Sequence, residues 1–185
     1  LRPAPRLGEH TAEVRKILSM AKPERMAPHR EDAKPPCPSS GVLKGPLVGL
    51  KVLDASAGAV GPWAGVLLGA LGADVVKLES PRGDLIRWVR PTQRGLSTTY
   101  ITQTLNKRGI VIDMKEDSSK QKVHELIKQA DIFIENFRPG VADRIGLGYE
   151  TLSSLNPRLI YVSASGFGSK GPMVTVGATD PHIQA

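Results

Sequence analysis

Apolar residues recur along this chain in short runs of two kinds, and the two kinds alternate. Residues 51–55 (KVLDA), 74–78 (DVVKL), 109–113 (GIVID), 131–135 (DIFIE) and 159–163 (LIYVS) are strand-length runs rich in β-branched residues. Helical patterns lie between them. Residues 62–71 (PWAGVLLGAL) form an apolar stretch with Pro62 near the first helical position, where a missing N–H costs little. Residues 116–130 set Val123, Leu126 and Ile127 on one face of an amphipathic helix, and 149–155 reads as a shorter one. This alternation predicts an α/β fold with a Rossmann-like, doubly wound, mostly parallel sheet.

Ahead of the first strand the pattern changes twice. Residues 9–20 place Val14, Ile17 and Leu18 at i, i+3, i+4, with Thr11 positioned as an N-cap. Residues 21–46 then carry Pro23, Pro28, Pro35, Pro36, Pro38 and Pro46 among charges. Proline fixes φ and removes donors, so this stretch reads as an extended linker. The expected organisation is a helical tail over 1–20, a linker over 21–46 and an α/β unit over 47–185.

Composition narrows the class. A chain of 185 residues, 40% hydrophobic, suffices for one ordinary core. No apolar run approaches the roughly 18 residues of a membrane span, and residues 1–6 lack a signal-peptide pattern. One cysteine, Cys37, permits neither an internal disulfide nor a cysteine-based metal site, so a cytoplasmic location is expected. His10, His29, His124 and His182 have no metal-ligand spacing, and no metal is expected. A first residue other than Met suggests an excised piece.

The net charge of +7 admits nucleic acid, an anionic membrane surface or a phosphorylated ligand. Aromatics at 4% speak against nucleic acid, whose single strands are read by stacking. The cations Lys107, Arg108, Arg138, Arg144 and Lys170 are scattered. Convergence on one phosphorylated ligand and a plain solvated surface both fit.

In open parallel sheets ligands bind beyond the carboxyl ends of the strands. After the first strand, residues 56–62 are small and lead into a helix N-terminus, which suits an anionic group. A dinucleotide site would use Glu79 as its ribose acid, but Gly58-Ala59-Val60-Gly61 breaks the required glycine spacing. The literal Gly-x-Gly-x-x-Gly at 166–171 precedes no helical pattern. Asn106-Lys107-Arg108 and Asn136-Phe137-Arg138-Pro139-Gly140 flank the third and fourth strands. The latter could hold an adenine and a phosphate, or simply close a turn. Asp180, before Pro181, reads by itself as an N-cap.

In order and spacing these segments resemble the family III CoA-transferases, the CaiB/BaiF group, over residues 45–185. The resemblance rests on 45–54 (GPLVGLKVLD), 71–79 (LGADVVKLE), Gly83-Asp84 with Arg87, Asn106-Lys107-Arg108, 135–140 (ENFRPG), 146–149 (GLGY), 156–161 (NPRLIY), Gly166-Phe167-Gly168 and Asp180-Pro181 with Gln184-Ala185. It implies CoA transfer between an acyl-CoA and a free carboxylic acid, with no tightly bound cofactor. Asp180 would be the nucleophile, passing through an aspartyl anhydride and an aspartyl thioester. Ala59 and Val60 would line the CoA cleft, with Asn106, Lys107 and Arg108 and then Ile112, Met114 and Lys115 along it. Asn136, Phe137, Arg138 and Arg144 would hold the nucleotide end. Val60-Gly61-Pro62 departs from the commoner Ala-Gly-Pro, and the glycine-rich loop that covers the aspartate in the family is absent.

Residues 5–14 resemble the closing tail of the same family, so the chain reads as a junction between tandem transferase units. The parent is expected to be an interlocked homodimer or a tandem pseudo-dimer, and the fragment inactive alone. An α-methylacyl-CoA racemase would share these landmarks but also uses a histidine upstream of the aspartate, and none stands between His124 and His182. A non-catalytic CoA-binding module is the remaining alternative.

Overall fold

A computed structural model describes residues 8–20 (main chain only from 17), 45–93 and 95–178. In chain order the elements are α1 (Thr11–Met20), β1 (Lys51–Asp54), α2 (Val60–Ala70), β2 (Asp74–Glu79), a 3-10 turn (Leu85–Trp88), β3 (Thr92–Gln93) and β4 (Leu96–Ser97). There follow α3 (Thr98–Gln103), β5 (Lys107–Val111), α4 (Asp117–Ile127), β6 (Ile132–Glu135), α5 (Val141–Arg144), α6 (Tyr149–Leu155) and β7 (Ile160–Ser163).

Five strands form one parallel sheet in the order β5-β2-β1-β6-β7, while β3 and β4 make a separate antiparallel hairpin. The chain builds outward from β1 to one side and then returns to build to the other. Its order therefore reverses between β1 and β6, where a doubly wound sheet opens a crevice at its carboxyl edge. The register is continuous across that point, with Val52 opposite both Val75 and Ile132.

Helices cover both faces. On one face Leu53, Val76, Leu78, Ile110 and Phe133 pack with Val14 of α1, Val123 and Ile127 of α4 and Leu152 of α6. Val123, Ile127, Phe133 and Leu152 are fully buried, each worth roughly 1.5–3 kcal/mol on removal from water. On the other face α2 lies over Val52, Val75 and Ile134. Its inward stripe is Gly61, Gly65 and Gly69, all buried. At Gly65 a Cβ would come within 2.8 Å of Asp54 Oδ2 and 2.9 Å of Lys107 Nζ, so only glycine lets the helix lie this close. Its outward residues Val60, Trp63 and Leu67 are exposed.

Two details depart from the sequence reading. The third strand begins at Lys107 rather than Gly109, because Lys107 and Arg108 pair in register with Val75 and Val76 despite their charge. Thr11 is the first residue of α1 rather than its cap, and its hydroxyl accepts the N–H of Val111 at 3.1 Å. Residues 80–105, which carried no periodic pattern, hold the 3-10 turn, the hairpin and α3. Ser97 caps α3 by accepting the Tyr100 N–H at 3.3 Å.

Candidate functional site

The carboxyl ends of β1 and β6 set the walls of the crevice. After β1 the chain turns through Ser56, Ala57 and Gly58 into α2, and Gly58 takes φ +76°, a left-handed conformation open to glycine. The Asp54 carboxylate accepts the Ser56 N–H at 3.0 Å and also the Ser56 hydroxyl, which fixes the first bend of this loop. Across the crevice, Asn136 follows β6. Its Oδ1 accepts the Ala57 N–H at 2.8 Å and its Nδ2 donates to the Ala57 carbonyl at 2.6 Å.

Beneath the loop runs a buried ionic network that local sequence did not reveal. Lys107, wholly buried, donates to Asp54 Oδ2 and to the Pro62 carbonyl, each at 2.6 Å. Lys77, also wholly buried, donates to the Ser56 carbonyl at 2.8 Å and to Asp84 Oδ2 at 3.0 Å. Asp84 Oδ1 accepts the Gly58 N–H at 3.2 Å, and its own N–H donates to Glu79 Oε2 at 3.0 Å. Arg87 grips Glu79 with two hydrogen bonds of 2.7 Å, and the Tyr100 hydroxyl donates to Glu79 Oε1 at 2.8 Å. The Arg87 guanidinium lies 3.9 Å from the centre of the Tyr100 ring.

Three carboxylates face three cations here, and every one has a partner. Burial pushes the Glu79 carboxyl upward, but its bonds from Arg87 and Tyr100 outweigh that and hold it below the usual range. Burial presses Lys107 down against the pull of Asp54. Burial, and then the Glu79 charge, drive the Tyr100 phenol far up, so it stays protonated as a donor. With its charges paired, the network holds the loop in place through the Ser56 and Pro62 carbonyls and the Gly58 N–H. Glu79, the acid a dinucleotide site would need, is consumed by Arg87.

The remaining candidates divide between the two ends of the sheet. Ala59 and Val60 stand exposed at the start of α2. Ile112, Met114 and Lys115 follow the end of β5; Ile112 is buried in the core, Met114 packs on it and Lys115 is exposed. Phe137 packs on the same core, and its N–H donates to Glu135 Oε2 at 2.7 Å. Arg138 is exposed, and Gly177 lies so near it that a Cβ there would come within 3.2 Å of its Nε. Arg144 is exposed at the end of α5.

Asn106, Lys107 and Arg108 open β5 at its amino end, from which the Lys107 side chain reaches Asp54 and the Pro62 carbonyl under the loop. Asn106 is buried with φ 63°. Arg108 bonds Asp74 through two donors, at 3.1 and 2.6 Å, and Glu13 at 2.9 Å. The charges of Lys107 and Arg108 thus join parts of the fold, Lys107 to Asp54 and Arg108 to Asp74 and Glu13. Asp180 lies outside the described residues. Among the described residues no group of three or more His, Cys, Asp or Glu side chains could hold a metal ion, and no helix is long and apolar enough to cross a membrane.

Comparison with known proteins gives this arrangement a context. The model of CoA-transferase family III matches residues 47–185. The chain is 41% identical over 143 residues to an acetyl-CoA:oxalate CoA-transferase of Acetobacter aceti, covering 77% of this chain and 37% of that protein. It is 40% identical over 129 residues to the succinyl-CoA--L-malate CoA-transferase beta subunit of Chloroflexus aurantiacus, covering 69% and 32%. A CAIB/BAIF family protein from Brucella suis superposes with a TM-score of 0.72 at 41% identity, over 77% of this chain and 39% of that one. The chain thus spans about a third of the length of these curated relatives. Over the length it does cover, the family match, the sequence identity and the superposition agree, and the chain belongs to the family III CoA-transferases.

Proposed function

We propose that the carboxyl-edge crevice receives the CoA portion of an acyl-CoA, and that the parent protein moves CoA from that thioester to a free carboxylic acid. The observation that supports this most is that the β1–α2 loop and Asn136–Arg138 meet at the switch point, at the edge where such sheets bind ligands. The chain leading toward Asp180 also rests there, with Gly177 against Arg138. Arg138, Arg144 and Lys115 are exposed cations near that edge, suited to the phosphates of the nucleotide end.

Asp180 is the nucleophile in this reading. Its carboxylate attacks the thioester carbonyl and the CoA thiolate leaves, giving a mixed anhydride. The thiolate then attacks the aspartyl carbonyl, releasing the first acid and leaving an aspartyl-CoA thioester. An incoming carboxylate attacks that thioester and expels the thiolate, giving a second mixed anhydride; the thiolate attacks its acyl carbonyl, forming the new acyl-CoA and expelling the Asp180 carboxylate. The proton count is unchanged throughout, because carboxylate and thiolate exchange as anions. The parent protein works as an interlocked homodimer or tandem pseudo-dimer, and the 185 residues alone give no turnover.

The test uses the parent protein with an acyl-CoA and a free acid, quenched with hydroxylamine and mapped by mass spectrometry. An aspartyl hydroxamate at position 180 is the expected product. Transfer that proceeds with no label there removes Asp180 from its role, and turnover by the purified 185 residues overturns the inactivity.

A further inference from the structure

Every polar main-chain group from the Ser56 N–H to the Gly58 N–H is taken by a side chain. The Asp54 carboxylate accepts the Ser56 N–H at 3.0 Å, and Lys77 donates to the Ser56 carbonyl at 2.8 Å. The Asn136 carboxamide accepts the Ala57 N–H and donates to the Ala57 carbonyl. Asp84 Oδ1 accepts the Gly58 N–H at 3.2 Å. The other side of the loop is bare: Ala57, Ala59 and Val60 are exposed, and a Cβ on Gly58 would meet no described atom within 4 Å.

Of these anchors Asp84 holds the point farthest along the loop, beside the first turn of α2. Its side chain is 1% exposed, so it touches no ligand itself. Its Oδ2 pairs with Lys77 at 3.0 Å, while Oδ1 is shared between the Gly58 N–H and the Ile86 N–H, the latter at 3.1 Å. The lysine that holds the Ser56 carbonyl and the carboxylate that holds Gly58 thus form one clamp over the tripeptide. A shift of the tripeptide reaches α2 directly, because Gly61 packs so closely on Ser56 that a Cβ would collide with the serine side chain. The N–H groups of Val60 and Gly61, in the first turn, have no intrahelical acceptor, and their aim follows the loop.

We infer that Asp84 is a positioning residue for CoA binding: through the Gly58 N–H its buried carboxylate holds the β1–α2 loop and the first turn of α2 in the form that receives the ligand. This rests on the reading of the crevice as the CoA site. The carboxylate contacts neither CoA nor the acyl carbonyl, so it governs affinity rather than the chemical step.

In the parent protein, amide exchange at Gly58 is followed by mass spectrometry with residue-level fragmentation, with and without CoA. The amide is expected to exchange slowly although Ala57 and Ala59 on either side are exposed. It is expected to slow further by about a hundredfold at a CoA concentration of about 100 Kd, since only the held loop binds. Two double variants then separate the hydrogen bond from the buried charge. Lys77→Met with Asp84→Asn keeps an acceptor oxygen for Gly58, and Lys77→Met with Asp84→Leu does not; both have lost the ion pair and the bond to the Ser56 carbonyl. The leucine member is expected to show a KM for acyl-CoA roughly tenfold above the asparagine member, with kcat alike within about twofold. A merely structural loss would instead lower kcat through the active fraction and leave KM, as is expected for Ile127→Ala on the opposite face. Equal KM values in the two doubles overturn the role of Asp84. So does exchange at Gly58 that is fast or indifferent to CoA, a readout that needs no variant to fold. A parent that binds no CoA at all fails at the crevice reading itself, and the role of Asp84 falls with it.

Discussion

The two faces of the parallel sheet solve the same burial problem by opposite means. Toward α1, α4 and α6 the strands present Leu53, Val76, Leu78, Ile110 and Phe133, and the core is hydrocarbon against hydrocarbon. Toward α2 a small apolar patch of Val52, Val75 and Ile134 gives way along the strands to Asp54, Lys77, Glu79 and Lys107, all nearly or wholly buried. Their neutralisation is internal, and α2 meets Asp54 and Lys107 with Gly65 while Val60, Trp63 and Leu67 point outward. The hydrocarbon face gains stability from area. The ionic face gains a fixed loop geometry, and it is intolerant because a buried charge cannot be left alone.

The largest expected effect breaks the ionic face. Lys107→Met strands the Asp54 carboxylate in the interior and is expected to cost about 3–5 kcal/mol in urea unfolding. Adding Asp54→Asn removes the stranded charge and should return part of that loss. A double variant no more stable than the single one would show that the pair is not the source. On the hydrocarbon face, Ile127→Ala is expected to cost about 3 kcal/mol through its cavity, and no second substitution at Asp54 should alter that figure.

Gly65→Ala is the sharper probe of how closely α2 lies. Alanine is the better helix former by about 1 kcal/mol, yet its Cβ must displace Asp54 or Lys107, so a net loss of about 1–2 kcal/mol is expected. A gain in melting temperature would mean that α2 has room to rise.

The smallest effect separates the faces by pH. The native Glu79 carboxyl is held below its unfolded value, so its contribution is present above about pH 4.5 and is lost as pH falls through the native value. Glu79→Gln should therefore flatten the acid limb of the stability profile, while Ile127→Ala should leave its slope as in the parent. Parallel acid limbs for parent and Glu79→Gln would remove this assignment.

How far the sequence carries depends on whether a feature's cause is local. The strands expected from 51, 74, 131 and 159 and the helix Tyr149–Leu155 follow from runs of a few residues and stand within one residue of where the pattern put them. The ionic face does not, because the partner of Asp54 is 53 residues away and that of Glu79 is eight. Charge at Lys107 and Arg108 masked the start of β5 for the same reason, since polar residues in a strand read as its end unless their partners are known. The hairpin and α3 are too short and too polar to show a period. The role given to Asp180 came from its place after an ordered series of landmarks, and nothing in its neighbours distinguishes a nucleophile from a cap.

Asn136 and Ala57 carry one more consequence. A peptide unit pairs across a ladder by giving one N–H and taking another, and the Asn136 carboxamide does both toward Ala57. It adds an extra rung above the last backbone pairing of β1 with β6, at the point where the sheet would otherwise begin to part. The two strands are therefore tied together one residue beyond their last ladder bond, which closes the sheet under the loop at the switch point.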